Sequence, residues 1–326
     1  MKILSLFWRL LRYRVAVMLV LFMLLSAAIH GGLSKHAWEL ALAALALALS
    51  YVSATSSNDL ADKDIDAINH PNSAGRPLIT GRAQTKDMWI MFAIASVLAI
   101  GLAAMINITA GVVIGASILI NVLYSLPPTR LSYRTFWAPL ILGVAYVGVP
   151  YVLAMAVTNT SFAASDLLWG AGLYLMFIGR IILKDFRDRK GDAKYHKPTF
   201  LLRYGKAATC SFSLAGLLGG GLIVVWQTHQ TAWLALVVAA YIASMLLMLK
   251  RLQAAKEGKD EQLSIGVGAK MGNGLLITLL TYYVLQETTA TPSFKMLIVL
   301  LLTAMFFGNF LSFLRNPEKA VVGYKG

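Results

Sequence analysis

Apolar stretches long enough to cross a bilayer recur along the whole chain, at residues 14–33, 38–57, 88–105, 111–126, 137–157, 167–183, 208–226, 233–249, 274–285 and 294–314. A spanning helix needs about 20 apolar residues, and the hydrocarbon offers no water to satisfy open backbone groups. The pattern predicts an all-α polytopic membrane protein with ten spans, of which 274–285 is the weakest. Composition agrees, with 58% of residues hydrophobic and 13% charged, against about 25% charged in an ordinary soluble domain.

The net charge of +14 raises the question of a nucleic-acid partner, and the placement of the cations answers it. On the ten-span reading, all of the 29 Lys and Arg except Lys35 and Lys295 fall at the two ends of the chain or in and beside the loops after spans two, four, six and eight. By the positive-inside rule these loops and both termini are expected to be cytoplasmic in a multi-pass cell-membrane protein. The charge then reports topology, and no nucleic acid is expected. The first span follows Lys2, Arg9, Arg12 and Arg14, lacks a clear small-residue cleavage site, and is read as a retained helix. The single Cys210 sits in an apolar span, which excludes a disulfide framework and points to packing.

Acidic residues are scarce, and seven of the fifteen lie in two windows, 59–66 and 185–192. Both contain D-x-x-D-x-x-x-D, 126 residues apart, both close an even-numbered span, and each precedes a His and a Pro: His70 and Pro71, then His196 and Pro198. This suggests one membrane domain built from two related units, 14–135 and 136–270, followed by C-terminal helices in 271–326. On a helix, residues three, four and seven apart share a face, so Asn58, Asp59, Asp62 and Asp66 form one acidic stripe, and Asp185, Asp188 and Asp192 a second. Asp64 points away from the first stripe and is left out. Solvated loops carry charges as a matter of course, but crowded carboxylates oppose one another unless cations join them. Mg²⁺ suits such sparse carboxylates, because it keeps several waters and takes substrate phosphate oxygens as further ligands.

These residues resemble the UbiA superfamily of intramembrane prenyltransferases. The first motif of that family, N-D-x-x-D-x-x-x-D, matches Asn58, Asp59, Asp62 and Asp66. It is followed by a tail similar to N-x-P-x-R-P that reaches Arg76 and Pro77 after a short insertion. The second motif, K-D-x-x-D-x-x-G-D, matches Lys184, Asp185, Asp188, Gly191 and Asp192, and Tyr124, Ser125 and Pro127 resemble a Y-S-x-P segment between the two. The resemblance covers roughly residues 15–285. It implies a bundle of nine transmembrane helices around a central cavity, so that 294–314 becomes a tenth, C-terminal helix.

The activity implied is Mg²⁺-dependent transfer of a prenyl group from an isoprenoid diphosphate to a hydrophobic acceptor of the aromatic quinone-precursor type, with release of pyrophosphate. By the same resemblance Asn58, Asp59, Asp62, Asp66, Asp185, Asp188 and Asp192 are the expected metal ligands, directly or through water. Asp62, Asp66, Asp188, Asp192 and Lys184 are the expected catalytic set. Arg76, Lys184, Tyr124, Ser125 and Arg130 are the expected diphosphate contacts, with Lys190 and Arg203 less supported. The lipid bilayer, a prenyl diphosphate and a hydrophobic acceptor are the implied partners, and no obligate protein partner is evident. Two features depart from the family's habit: Arg180 stands where many relatives have Tyr, and Thr199-Phe200-Leu201 stands where many read Thr-Leu-Pro. Both bear on the acceptor side. A membrane-embedded terpene cyclase, a transferase acting on a carotenoid or other non-aromatic lipid, and a transporter stay open as alternatives. Acids at span ends, with no pair of broken helices, speak against the transporter.

Overall fold

The computed structural model describes residues 3–316, which are helical apart from turns and short connections. The expected cytoplasmic C-terminus, at 317–326, lies outside the described residues. The first two helices, α1 (Ile3–Leu11) and α2 (Tyr13–Ile29), meet at 64°. Arg12 forms the elbow in a left-handed conformation, φ 39°. That conformation is unfavourable for a side-chain-bearing residue, so the tertiary contacts of Arg12 must hold it.

Next comes α3 (Ala37–Ala61), five residues longer than the apolar stretch that announced it. Its last turns are rich in Ser and Thr yet stay helical, because these hydroxyls turn back onto the bundle: Ser56 donates to Val52 O at 2.8 Å and Thr55 to Leu10 O at 2.9 Å. Helices α4 (Lys63–Asn69), α5 (Thr85–Ile106) and α6 (Ile108–Ser125) follow. Asn107 joins the last two: its side chain accepts from Ala110 N at 2.8 Å to cap α6 and donates to Ala156 O at 2.9 Å.

The fifth predicted span is α7 (Trp137–Gly143) continued by a π turn (Val144–Gly148) into α8 (Val149–Thr158). Pro150 accounts for the turn: it lacks an N–H and its ring crowds the carbonyl of Tyr146, and a wider turn there relieves both. The sixth span, α9 (Ala164–Ile181), runs through a 3₁₀ turn (Ile182–Lys184) into α10 (Asp185–Lys194). The remaining helices are α11 (Phe200–Thr228), α12 (Ala232–Ala254), α13 (Lys259–Gln286) and α14 (Pro292–Arg315). The weakest expected span, 274–285, thus belongs to a 28-residue helix. Its first half is polar, which hid it from an apolar count, and buried Glu261 there binds Lys206 at 2.8 Å and Arg189 at 3.3 Å. Nine of these helices are long and apolar enough to cross a membrane, and the bent pair α1–α2 makes a tenth candidate among the described residues.

Two apolar cores fill the bundle. One is built mainly from α1, α2, α3, α5, α6 and α8, the other mainly from α9, α11, α12 and α13. In the second, α9 and α11 approach closely through small residues. A Cβ on Gly179 would stand 2.8 Å from Ser213 O, and one on Gly220 would stand 2.7 Å from Met176 N. In lipid such backbone proximity replaces the hydrophobic drive between helices. Gly220→Val is expected to destabilise the bundle by about 1–3 kcal/mol, read as a lower melting temperature of the detergent-solubilised protein; an unchanged melting temperature would contradict the tight crossing.

Candidate active site

Both acidic windows lie at one end of the bundle, where α4 and α10 pack together. The first stripe is not one straight helix: α3 stops at Asp62, whose φ of −107° and ψ of 18° turn the chain into α4. The bonds Asp62 N to Asn58 O, 2.9 Å, and Asp66 N to Asp62 O, 2.8 Å, span the bend and keep the carboxylates on one side. Asp59, Asp62 and Asp66 are buried, whereas Asp64 is exposed. On α10, Asp185 and Asp192 are buried and Asp188 is half-buried.

Gly191 sets the distance between the two windows. Its N–H donates to Asn69 Oδ1 at 2.7 Å, and a Cβ there would stand 2.7 Å from Ile65 O. Lys197 then ties the windows together, with Nζ 3.2 Å from Asp62 Oδ2 and 3.9 Å from Asp192 Oδ1.

Buried carboxylates are tolerated only when paired, and basic side chains from distant parts of the chain supply the pairing. Arg12 Nη2 lies 2.6 Å from Asp59 Oδ1 and Arg76 ion-pairs with both Asp59 and Asp66. Arg130 donates to Asp62 Oδ1 at 3.1 Å and to Ala61 O at 2.8 Å, its guanidinium 3.8 Å from the centre of the Tyr133 ring. Asn58 donates to Asp62 Oδ2 at 3.3 Å. His70 Nε2 and Arg187 Nε each lie 3.1 Å from Asp188 Oδ1. Burial pushes the Asp66 carboxyl up to about 7, with Arg76 opposing and Asp59 and Asp62 adding to the rise. Burial works against the charge on Lys197, yet Asp62, with Tyr124 and Asp192 behind it, holds that ammonium above the usual lysine range.

Lys184 donates to Tyr124 OH at 3.3 Å. With Asp185, Asp188, Asp192 and Lys197 they line a cleft with apolar walls from Leu142, Ile182 and Phe200. Ser125 is buried next to Tyr124 in the chain, while Lys190 and Arg203 are exposed. Of the residues now seen to organise the site, Arg12, Asn69, Tyr133 and Lys197 were missed and His70 served only as a marker of the repeat. His70 and Lys197 follow their windows at similar positions, a signal that was available. Arg12 carries none, because its partner Asp59 lies 47 residues away.

Among the described residues no three His, Cys, Asp or Glu side chains converge into a ready-made cation site; basic side chains stand between the carboxylates. The donor set still fits Mg²⁺. It is made of hard oxygens, and Asp59 Oδ2 and Asp66 Oδ2 are buried without a hydrogen-bond partner, the latter 2.5 Å from Arg76 Nη1 as an ion pair only. A cation that completes its shell with water and phosphate oxygens needs few protein ligands in advance.

The fold has counterparts in known proteins. The structure of a UbiA homologue from Archaeoglobus fulgidus bound to GPP and Mg²⁺ superposes with a TM-score of 0.65 at 17% identity, over 86% of this chain and 99% of that one. A digeranylgeranylglyceryl phosphate synthase structure gives 0.62 at 19% identity over 86% and 98%. These likenesses establish the fold. In sequence, the chain is 26% identical to the bacteriochlorophyll synthase 33 kDa chain of Cereibacter sphaeroides over 65% of this chain and 72% of that protein. It is 27% identical to the chlorophyll synthase of Avena sativa over 59% of this chain and only 50% of the plant protein. The description of the UbiA prenyltransferase family matches residues 19–274, and the chain belongs to that family.

Proposed function

We propose that the protein transfers a prenyl group from an isoprenoid diphosphate to a hydrophobic acceptor and releases pyrophosphate, with both acidic windows on the cytoplasmic side. The observation that carries this reading is the approach of the two windows across Lys197, within reach of a single phosphorylated ligand. Asn58, Asp62, Asp66, Asp188 and Asp192 would hold Mg²⁺, with Asp59 and Asp185 as further or supporting ligands. Bound there, Mg²⁺ would neutralise charge developing on the leaving pyrophosphate.

The chain's own cations have a matching task. Arg76, Arg130 and Lys197, now paired with carboxylates, are placed to turn to phosphate oxygens when those carboxylates engage metal. Lys184, held by Tyr124, offers a further ammonium to the diphosphate. The apolar cleft walls would keep water from the allylic carbon while its bond to oxygen breaks. The acceptor's proton is lost as the new bond to carbon forms.

The test is incubation of the purified protein with geranylgeranyl diphosphate, Mg²⁺ and a panel of acceptors headed by aromatic quinone precursors. Acceptor-dependent pyrophosphate release with a prenylated product is expected. Release without any acceptor would move the reading to a cyclase, and no release under any condition would overturn it.

A further inference from the structure

A second opening, larger than the acidic cleft, lies between α2, α9, α11, α12 and α13. Its walls are mainly Met, Leu, Ile and Phe side chains, yet Arg180, Lys184 and Ser264 also line it. Ile181 and Lys184 border both this crevice and the acidic cleft, so the two spaces share a wall. Arg180 stands one helical turn before Lys184, on the same face.

The Arg180 guanidinium is clamped in place. Its Nη2 donates to Ala269 O at 2.9 Å and to Asn273 Oδ1 at 3.0 Å, both on α13. It also lies against Gly272, where a Cβ would stand 2.5 Å from the guanidinium carbon. The missing side chain at Gly272 is therefore what makes room for the arginine.

A hydrocarbon tail offers a half-buried guanidinium nothing in return for lost water. A carboxylate or phosphate does, through paired charge-assisted bonds to a pre-oriented fork. Flexible methionines such as Met245 and Met248 suit an apolar body of irregular shape. We propose that this crevice is an anion-reading subsite for an amphipathic ligand, whose apolar part lies among the methionines and leucines and whose anionic oxygen group, carboxylate or phosphate, sits on Arg180. That the ligand is the prenyl acceptor rests on the prenyl-transfer reading; the anion preference does not.

Binding is measured by equilibrium dialysis on the detergent-solubilised protein, without donor or metal, using 4-dodecyloxybenzoate, its neutral methyl ester and dodecyl phosphate. At least one anion is expected to bind about tenfold or more tightly than the ester, and the stronger of the two tells carboxylate from phosphate. Arg180→Gln should abolish that preference and leave the ester's Kd unchanged, and Arg180→Lys should restore part of it. Arg180→Met, which keeps the apolar stem, replaces the glutamine variant if the latter does not elute as a monodisperse protein. Equal binding of anions and ester by the wild type, or a preference that survives loss of the guanidinium, overturns the subsite. In turnover assays Arg180→Gln should raise KM for an anionic acceptor and leave KM for geranylgeranyl diphosphate alone. Anion binding that depends on Arg180 in a protein that transfers no prenyl group would remove the acceptor assignment alone.

Discussion

Asp62→Ala and Asp188→Ala are each expected to lower prenyl transfer on the order of 10³-fold or more, with insertion and elution behaviour unchanged. Asp62 is the junction of the site: it accepts from Arg130, Lys197 and Asn58, and it sits where α3 turns into α4. Removing its carboxylate takes away a proposed metal ligand and leaves two cations without their main partner. Asp188 holds the corresponding place in the second window, between His70 and Arg187. Neither residue contributes to the apolar cores that hold the spans together, so the loss should fall on chemistry. The check is the initial rate at saturating donor across a Mg²⁺ titration, beside the melting temperature of each variant. Wild-type rates in either variant would remove the carboxylates from the mechanism.

Gly191→Ala is expected to cut turnover by ~10²-fold through displacement alone. A methyl group at this position meets Ile65 O and the Asn69 side chain, so α4 and α10 must separate. Separation carries Asp192 and Lys197 together away from Asp62, so the two windows would no longer reach one proposed ligand. The comparison with Asn69→Ala isolates the cause, since that change deletes the bond to Gly191 N without adding volume. A smaller loss is expected for Asn69→Ala than for Gly191→Ala, and the reverse order would show that the bond, and not the spacing, governs the site.

Much of this was legible in the sequence because membranes enforce simple rules. Apolar length located the spans, and the repeat of D-x-x-D-x-x-x-D located the end of the bundle where the carboxylates gather. Positions 259–273 escaped notice because polar residues interrupt them, among them Glu261, which pairs with Arg189 and Lys206; an apolar window does not count such residues. The bend at Asp62 was equally hidden, since ideal helical spacing across 58–66 fits a straight helix as well as a turned one. The neutralising cations were the largest omission. Arg12 and Lys197 reach carboxylates 47 and 135 positions away, and a lone basic residue in a membrane protein reads first as a marker of orientation.

The left-handed elbow at Arg12 reaches further than the helix it bends. From it Arg12 grasps Asp59 and the carbonyl of Gly75, while Arg9 on α1 donates to the carbonyl of Ala74, so the leading helix props the loop that delivers Arg76. Anything fused ahead of this helix would bear, through that loop, on Arg76 and the carboxylates it pairs with, so a bulky leader there is expected to slow turnover instead of serving as an inert handle.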